Sequence, residues 1–220
     1  MNIVVIGVGG IGSAVLPALL RYLSHAYEGS VVMLLDGDSY EPQNVSRYAL
    51  GDGNKAVSLA SYFSSEFPNL FIRGKPEFVT SMNAHVHIEE GDIVFLSVDN
   101  HLARKVVSAR CAALSNVILI SGGNDYSDGN VQIYIRKDGA DAEGTVPLGK
   151  NHPEIESARD QAGEAGCGIL VESLPQLIFT NTMIAAYMLA AFWRVVEKPE
   201  GGGPVTEVYV DLVTMRARSK

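Results

Sequence analysis

The residues in this sequence whose types and spacing could do chemistry are a glycine loop and a short series of polar groups downstream of it. Gly7-Val8-Gly9-Gly10-Ile11-Gly12 follows the apolar run Ile3 to Ile6, and Asp36, Asn44, Arg47, Lys55 and Asp99 follow in order. A glycine loop between a buried strand and a helix N-terminus suits an anion. Backbone N–H groups and the positive helix end face it, and glycine lets the backbone come close. Asp36, at the tip of the second apolar run, is placed for ribose hydroxyls, which fits ATP and NAD equally well. The groups beyond it separate the two. Hydride transfer has no use for Asn44, Arg47 and Lys55 just past the second strand. A triphosphate does: Arg47 and Lys55 can hold its oxygens, and Asn44 can donate its amide.

Asp99 ends the run Asp92 to Val98 (DIVFLSV). That is the carboxyl edge of a strand, where doubly wound sheets bind ligands. A carboxylate there can hold Mg²⁺ against phosphates. Each of these residues also has a plain reading. Asp99 could cap a helix beginning at Asn100, and Arg47 and Lys55 could be surface charges. Jointly they point to attack on the α-phosphate of ATP.

The elements that must position this set alternate between strand and helix, which predicts an α/β fold with a largely parallel sheet. Ile3–Ile6 and Val31–Leu35 read as strands buried on both faces. Ile11, Val15, Leu19, Tyr22 and Leu23 recur at helical spacing between them. Pro17 should kink that helix or mark a late start. A second helix is expected from Asn54 to Glu66, stopped by Pro68, with short strand pieces at 71–73 and 78–81. The DIVFLSV strand leads into a helix reaching Leu114, and Val117 to Ile120 forms the next strand. The alternating run Val131 to Arg136 (VQIYIR) reads as a strand with one wetter face. Leu174 to Val196 is apolar but broken by Gln176, Thr180, Asn181, Thr182 and Arg194, so it reads as a buried helix rather than a membrane span. A final strand is expected over 205–213, after Gly201-Gly202-Gly203-Pro204.

The stretch 138–168 has no sustained period and is rich in Gly, Asp and Glu. Such a long loop is either a mobile functional segment or a surface insertion. His85 and His87 would share one strand face and form a candidate metal pair without a third ligand nearby. His101 reads as a solvent-facing helix residue, and His152 has no partner evident in sequence. Cys111, among Val107, Ala112 and Leu114, reads as core.

The 220 residues fit one domain, and a chain of this size buries roughly 70% of its unfolded surface, so it needs no cross-links. Two cysteines without a CxxC pair give no disulfide framework and no four-cysteine zinc site. The expected compartment is a reducing cytoplasm, and Met1-Asn2 leads straight into a strand with no signal peptide expected. The net charge of -8 disfavours general nucleic-acid binding.

Together these motifs resemble the adenylation domain of the ThiF/MoeB/ubiquitin-activating (E1) superfamily. The resemblance rests on Gly7-Val8-Gly9-Gly10-Ile11-Gly12-Ser13, then Asp36-Gly37-Asp38, Asn44-Val45-Ser46-Arg47, the turn at Gly51 or Gly53 with Lys55, and Asp99-Asn100 with Arg104. It covers residues 1–135 well and 167–196 more loosely. It implies a Rossmann-like, doubly wound, largely parallel sheet with added antiparallel strands, in one adenylation domain over 1–220. The implied nucleotide site is Gly7, Gly9, Gly10, Ile11, Gly12, Asp36, Asp38, Asn44, Arg47 and Lys55, with Asp99 on Mg²⁺ and no structural zinc. The implied reaction activates the C-terminal carboxylate of a small ubiquitin-like or sulfur-carrier protein, or a peptide, as an acyl-adenylate.

The resemblance also places Cys167 near the cysteine that some members use for a thioester or persulfide; the plain reading is a small loop residue. Relatives of this kind are usually dimers, so a homodimer or heterodimer is expected. Many relatives also supply an arginine from a helix upstream of the first strand. This sequence starts at that strand, so the expectation is that another arginine serves, that a partner protein supplies it, or that ATP is bound with little turnover. The rival readings are a non-catalytic scaffold subunit, an NAD-binding oxidoreductase, and an enzyme acting on a modified tRNA base.

Overall fold

The computed structural model describes residues 1–40, 52–159, 177–200 and 205–220. Its elements run β1 (Asn2–Ile6), α1 (Gly10–Ala26), β2 (Val31–Leu35), α2 (Lys55–Glu66), β3 (Phe71–Lys75), α3 (Ala84–His87), β4 (Ile93–Leu96), α4 (His101–Ala112) and β5 (Val117–Asn124). They continue with β6 (Asp128–Lys137), β7 (Ala140–Asp141), α5 (Leu148–Asn151), α6 (Pro153–Ser157), α7 (Ile178–Glu197), β8 (Glu207–Asp211) and β9 (Arg216–Ser219).

The strands lie in one sheet in the order β3-β2-β1-β4-β5-β6-β8-β9, with β7 paired to β6. β3, β2, β1, β4 and β5 are parallel to their neighbours. The pairs from β5 outward through β6, β7, β8 and β9 are antiparallel. The order turns back at β1 and β4, so the glycine loop leaves the sheet at its topological switch point. This is the α/β, doubly wound, largely parallel sheet with antiparallel additions that the sequence predicts.

Side chains alternate between two cores, as the strand period of two requires. Ile3, Val5, Ile93 and Phe95 enter one core with α1, α2 and α7. Val4, Ile6, Val94 and Leu96 enter the other with α4 and the short helices. The central strands are therefore covered on both faces. The apolar helix α7 packs against α1, β5 and β6. It is the one described helix long and apolar enough to cross a membrane, but Thr180, Asn181, Ile184, Ala185, Met188, Ala191 and Phe192 on it are buried within the protein.

Several expectations need correction. Pro17 does not delay α1, which begins at Gly10 and runs through it, with Pro17 on the exposed side. Residues 78–81 are not a strand; Thr80 and Asn83 exchange local hydrogen bonds that start a turn instead. β5 extends past Ile120 to Asn124, because β6 pairs with its whole length. The VQIYIR strand has no wet face: Gln132 is buried and its amide donates to Leu148 O of α5 at 3.4 Å.

That covering comes from 138–159, which is built from β7, α5 and α6 rather than being a structureless loop. Leu148 and Ile155 are buried in the second core. Lys105 of α4 donates to Glu156 O at 2.7 Å and Ala158 O at 3.1 Å. Elements of two to five residues leave no period for a sequence to show. Residues 160–168 of the expected loop lie outside the described residues. The final strand is two, β8 and β9, turned by Asp211, whose carboxylate accepts Val213 N–H, Thr214 N–H and the Thr214 hydroxyl.

Candidate functional site

The carboxyl ends of β1, β2 and β4 converge on the glycine loop. Gly7 leaves β1 at φ +82°, where a Cβ would stand 2.7 Å from Ser97 O at the end of β4. The Ser97 hydroxyl donates to Gly7 O at 2.7 Å. Gly12 lets α1 turn back over the loop: a Cβ there would lie 2.0 Å from Gly7 O. Only glycine fits these two positions, for the separate reasons of backbone conformation and close approach. Gly9, at the N-cap of α1, brings no side chain to cap it. The first N–H groups of a 17-residue helix thus have no side-chain cap, the arrangement that favours an anion.

Asp36 locks this loop to β2. One carboxylate oxygen accepts Val8 N–H at 2.7 Å, and the other accepts Asp38 N–H at 2.8 Å. Burial pushes the Asp36 carboxyl above the usual range, while these two N–H donors and Lys55 pull the other way. Lys55, 8% exposed, places its Nζ 2.9 Å from Asp38 Oδ2. Asp36, Asp38 and Lys55 are therefore brought together beside the glycine loop.

Asn54 was not singled out in the sequence and organises this corner. Its Oδ1 accepts Val57 N–H at 3.0 Å, capping α2, while its Nδ2 donates to Asp36 O at 2.8 Å and Asp38 O at 2.9 Å. Its signal was its place as N-cap residue directly before Lys55. Phe78 was missed as well. Its ring packs onto Gly37, where a Cβ would meet it at 2.4 Å, and it is 39% exposed beside Asp36.

At the end of β4, Asp99 is exposed, and Asn100, not Asp99, caps α4 by accepting Ala103 N–H at 2.7 Å. Arg104 lies beneath. Its guanidinium donates to Val98 O at 2.6 Å, Gly122 O at 2.9 Å and the Ser121 hydroxyl at 2.8 Å, joining the ends of β4 and β5. Burial lowers its pKa to about 10, and the Asp99 charge acts to raise it.

Asn44, Arg47 and Cys167 lie outside the described residues. Cys111 is a core thiol, pushed up to about 12 by burial. His85 and His87 do not share a strand face; they sit in the short helix α3, and His87 Nε2 lies 3.1 Å from Glu77 Oε2. No group of three or more His, Cys, Asp or Glu suited to a metal occurs among the described residues. His152 does have partners: Glu207 Oε1 at 2.6 Å and Glu154 Oε1 at 2.8 Å. They come from β8 and α6, which sequence spacing could not bring together.

The fold and this edge define a Rossmann-like, doubly wound α/β domain with an antiparallel extension. The chain belongs to the ThiF family, whose sequence model matches residues 1–210. No curated protein matches it by sequence. Among solved structures it is similar to PaaA, at 15% identity and a TM-score of 0.70, covering 100% of this chain and 63% of that one. It is equally similar to E. coli MccB crystallised with ATP, at 18% identity and a TM-score of 0.70, again covering 100% of this chain and 63% of that chain. Another MccB structure, at 17% identity and a TM-score of 0.70, contains N-formylated MccA, and the chain spans 64% of its length. The chain thus spans less than two-thirds of the length of these neighbours, and the likeness is one of fold.

Proposed function

We propose that this chain is an ATP-dependent adenylyltransferase. It would activate the C-terminal carboxylate of a small ubiquitin-like or sulfur-carrier protein, or of a peptide, as an acyl-adenylate. The observation that carries this reading is the Asp36, Asp38 and Lys55 cluster against the glycine loop, with α1 starting uncapped there and Asp99 following the neighbouring strand β4. Membership of the ThiF family supports it. So does the likeness to MccB, which has been crystallised with ATP and with MccA.

In this reading the N–H groups of α1 and the glycine loop face the phosphate chain, and Asp36 takes the ribose. Phe78 and Gly37 form an apolar wall for the base. Lys55 exchanges Asp38 for a phosphate oxygen, and Asn44 and Arg47 are the other residues proposed to bind the phosphates. A carboxylate oxygen of the substrate attacks the α-phosphorus, the bond to the bridging oxygen breaks, and pyrophosphate leaves. The nucleophile is already ionised, so no proton has to move. The protein's task is positioning and neutralising charge. Asp99 would hold Mg²⁺, which would supply positive charge to the leaving pyrophosphate. A cytoplasmic location, a dimeric state and transfer of the acyl group to Cys167 belong to the same proposal.

The test is ATP–pyrophosphate exchange with Mg²⁺ and small proteins or peptides ending in Gly-Gly, with Asp99→Ala alongside. Exchange that requires both the acceptor and Asp99 supports the reading. ATP binding without exchange for any acceptor points to a scaffold subunit. NAD binding without ATP binding sinks the reading.

A further inference from the structure

α7 begins against the glycine loop, and its first turn is fixed in place. Thr180 is fully buried, and its hydroxyl donates to Tyr126 O in the β5–β6 connection at 2.7 Å. The next residue, Asn181, is 1% exposed, yet among the described residues neither its Nδ2 nor its Oδ1 has a hydrogen-bond partner. The amide faces Gly10. A Cβ built on Gly10 would stand 2.1 Å from Nδ2 and 2.8 Å from Cγ.

Buried polar groups nearly always find partners, and the exceptions call for an explanation. Packing does not supply one here. A leucine has the same branched shape with bulkier methyl ends, and it would bury no unsatisfied polar atom. Natural sequences keep such local costs mainly where a site needs them. Gly10 is the first residue of α1, whose N-cap offers no side chain. An uncapped helix N-terminus and an orphaned, immobilised amide therefore meet at one residue.

Resting on the nucleotide reading above, we propose that Asn181 is a positioning residue for the triphosphate, acting through Gly10. Its amide props the Gly9–Gly10 turn from behind. It takes up a backbone hydrogen bond there when a phosphate draws the turn in, and so holds the α1 N–H groups toward the anion. Asn181 need not touch the nucleotide.

The experiment measures the Kd of ATP with Mg²⁺ by calorimetry, together with the thermal midpoint of the nucleotide-free protein, for wild type and Asn181→Leu. The expected result is a midpoint equal to or above that of wild type and a Kd raised at least tenfold. A Kd within twofold of wild type overturns the inference, whatever the midpoint does. Should Asn181→Leu fail to fold, Asn181→Ala is read by the same Kd criterion. Wild type that binds no ATP defeats the nucleotide reading and this inference with it. Wild type that binds, with an unaffected variant, defeats the inference alone.

Discussion

Asp36 and Val8 are joined by a 2.7 Å hydrogen bond from the Val8 N–H to the Asp36 carboxylate, across 28 residues of chain. The bond ties the end of β2 to the middle of the glycine loop. The same carboxylate also accepts the Asp38 N–H, so it orders the turn on its other side too. One buried side chain therefore sets the relative position of the glycine loop and the acidic strand end.

Replacing Asp36 should separate these two roles by pH. Burial raises the Asp36 carboxyl above its ordinary value. A raised carboxyl contributes stability that is present below the unfolded value of about 3.9 and is lost as pH rises through the folded value. Asp36→Ala should therefore cost more stability near pH 4 than at pH 7, when each is compared with wild type at the same pH. Urea unfolding at the two pH values checks this. ATP binding by the variant should weaken by about tenfold or more at pH 7, the scale of one charge-assisted hydrogen bond.

Lys55 is buried to 8% exposure with its amine on Asp38. Lys55→Met keeps most of the apolar stem and removes the charge. A hydrogen bond to a charged group contributes about 1.5–3 kcal/mol, so ATP affinity should fall by roughly 10- to 100-fold. Asp38 is half exposed and stays solvated, so the thermal midpoint should change little. Fluorescence titration with an ATP analogue and a thermal melt on the same sample read both quantities. An unchanged affinity would remove Lys55 from the phosphate site.

Much of this corner was legible in the sequence because its information is local. Ile3–Ile6 and Val31–Leu35 are short, apolar and β-branched, so their strands were readable, and the glycine loop and Asp36 fall directly after them. Asn54 and Lys55 start a helix with an ordinary capping signal. The far side of the sheet was less legible. Gln132 looks like a solvent-facing residue until α5 is known to cover it, and α5 has only four residues. His152 meets Glu207 across 55 residues, and nothing in the spacing of either announces the other. Asn181 looked like an interruption of an apolar helix. Its meaning depends on Gly10, 171 positions earlier by sequence number, lying against it.

Arg104 braces the backbone that carries Asp99. The guanidinium holds Val98 O, the carbonyl just before Asp99, and ties it to Ser121 and Gly122 of β5. Arg104→Lys cannot reproduce three bonds from a planar fork. It should cost about 2 kcal/mol from lost buried hydrogen bonds. For a chain of this size that lowers the thermal midpoint by roughly 4–8 °C. Activity should fall beyond what the loss of folded protein explains, because the backbone carrying Asp99 is released. Pyrophosphate exchange at a temperature where both proteins are fully folded separates the two effects.

The cluster at β8 predicts a pH dependence of stability set away from the glycine loop. Glu207 is fully buried, and its Oε1 takes His152 Nε2 at 2.6 Å and Asn130 Nδ2 at 2.5 Å. Glu154 faces the other ring nitrogen at 2.8 Å, and the Tyr209 ring lies 6.5 Å away. Burial works against a charged His152, but hydrogen bonds and charges from Glu207 and Glu154 outweigh it and raise its pKa. A raised histidine contributes stability that is fully present below the ordinary value of about 6.5 and is lost as pH rises through the folded value. The thermal midpoint should therefore fall as pH rises from 6 toward 8, by about 2–4 °C for each kcal/mol lost. Glu207→Gln keeps the shape and the acceptor for Asn130 but removes the charge that favours the imidazolium. Its midpoint should vary less over the same range, with its deficit against wild type largest at pH 6. A variant as pH-dependent as wild type would show that His152 is not the group responsible.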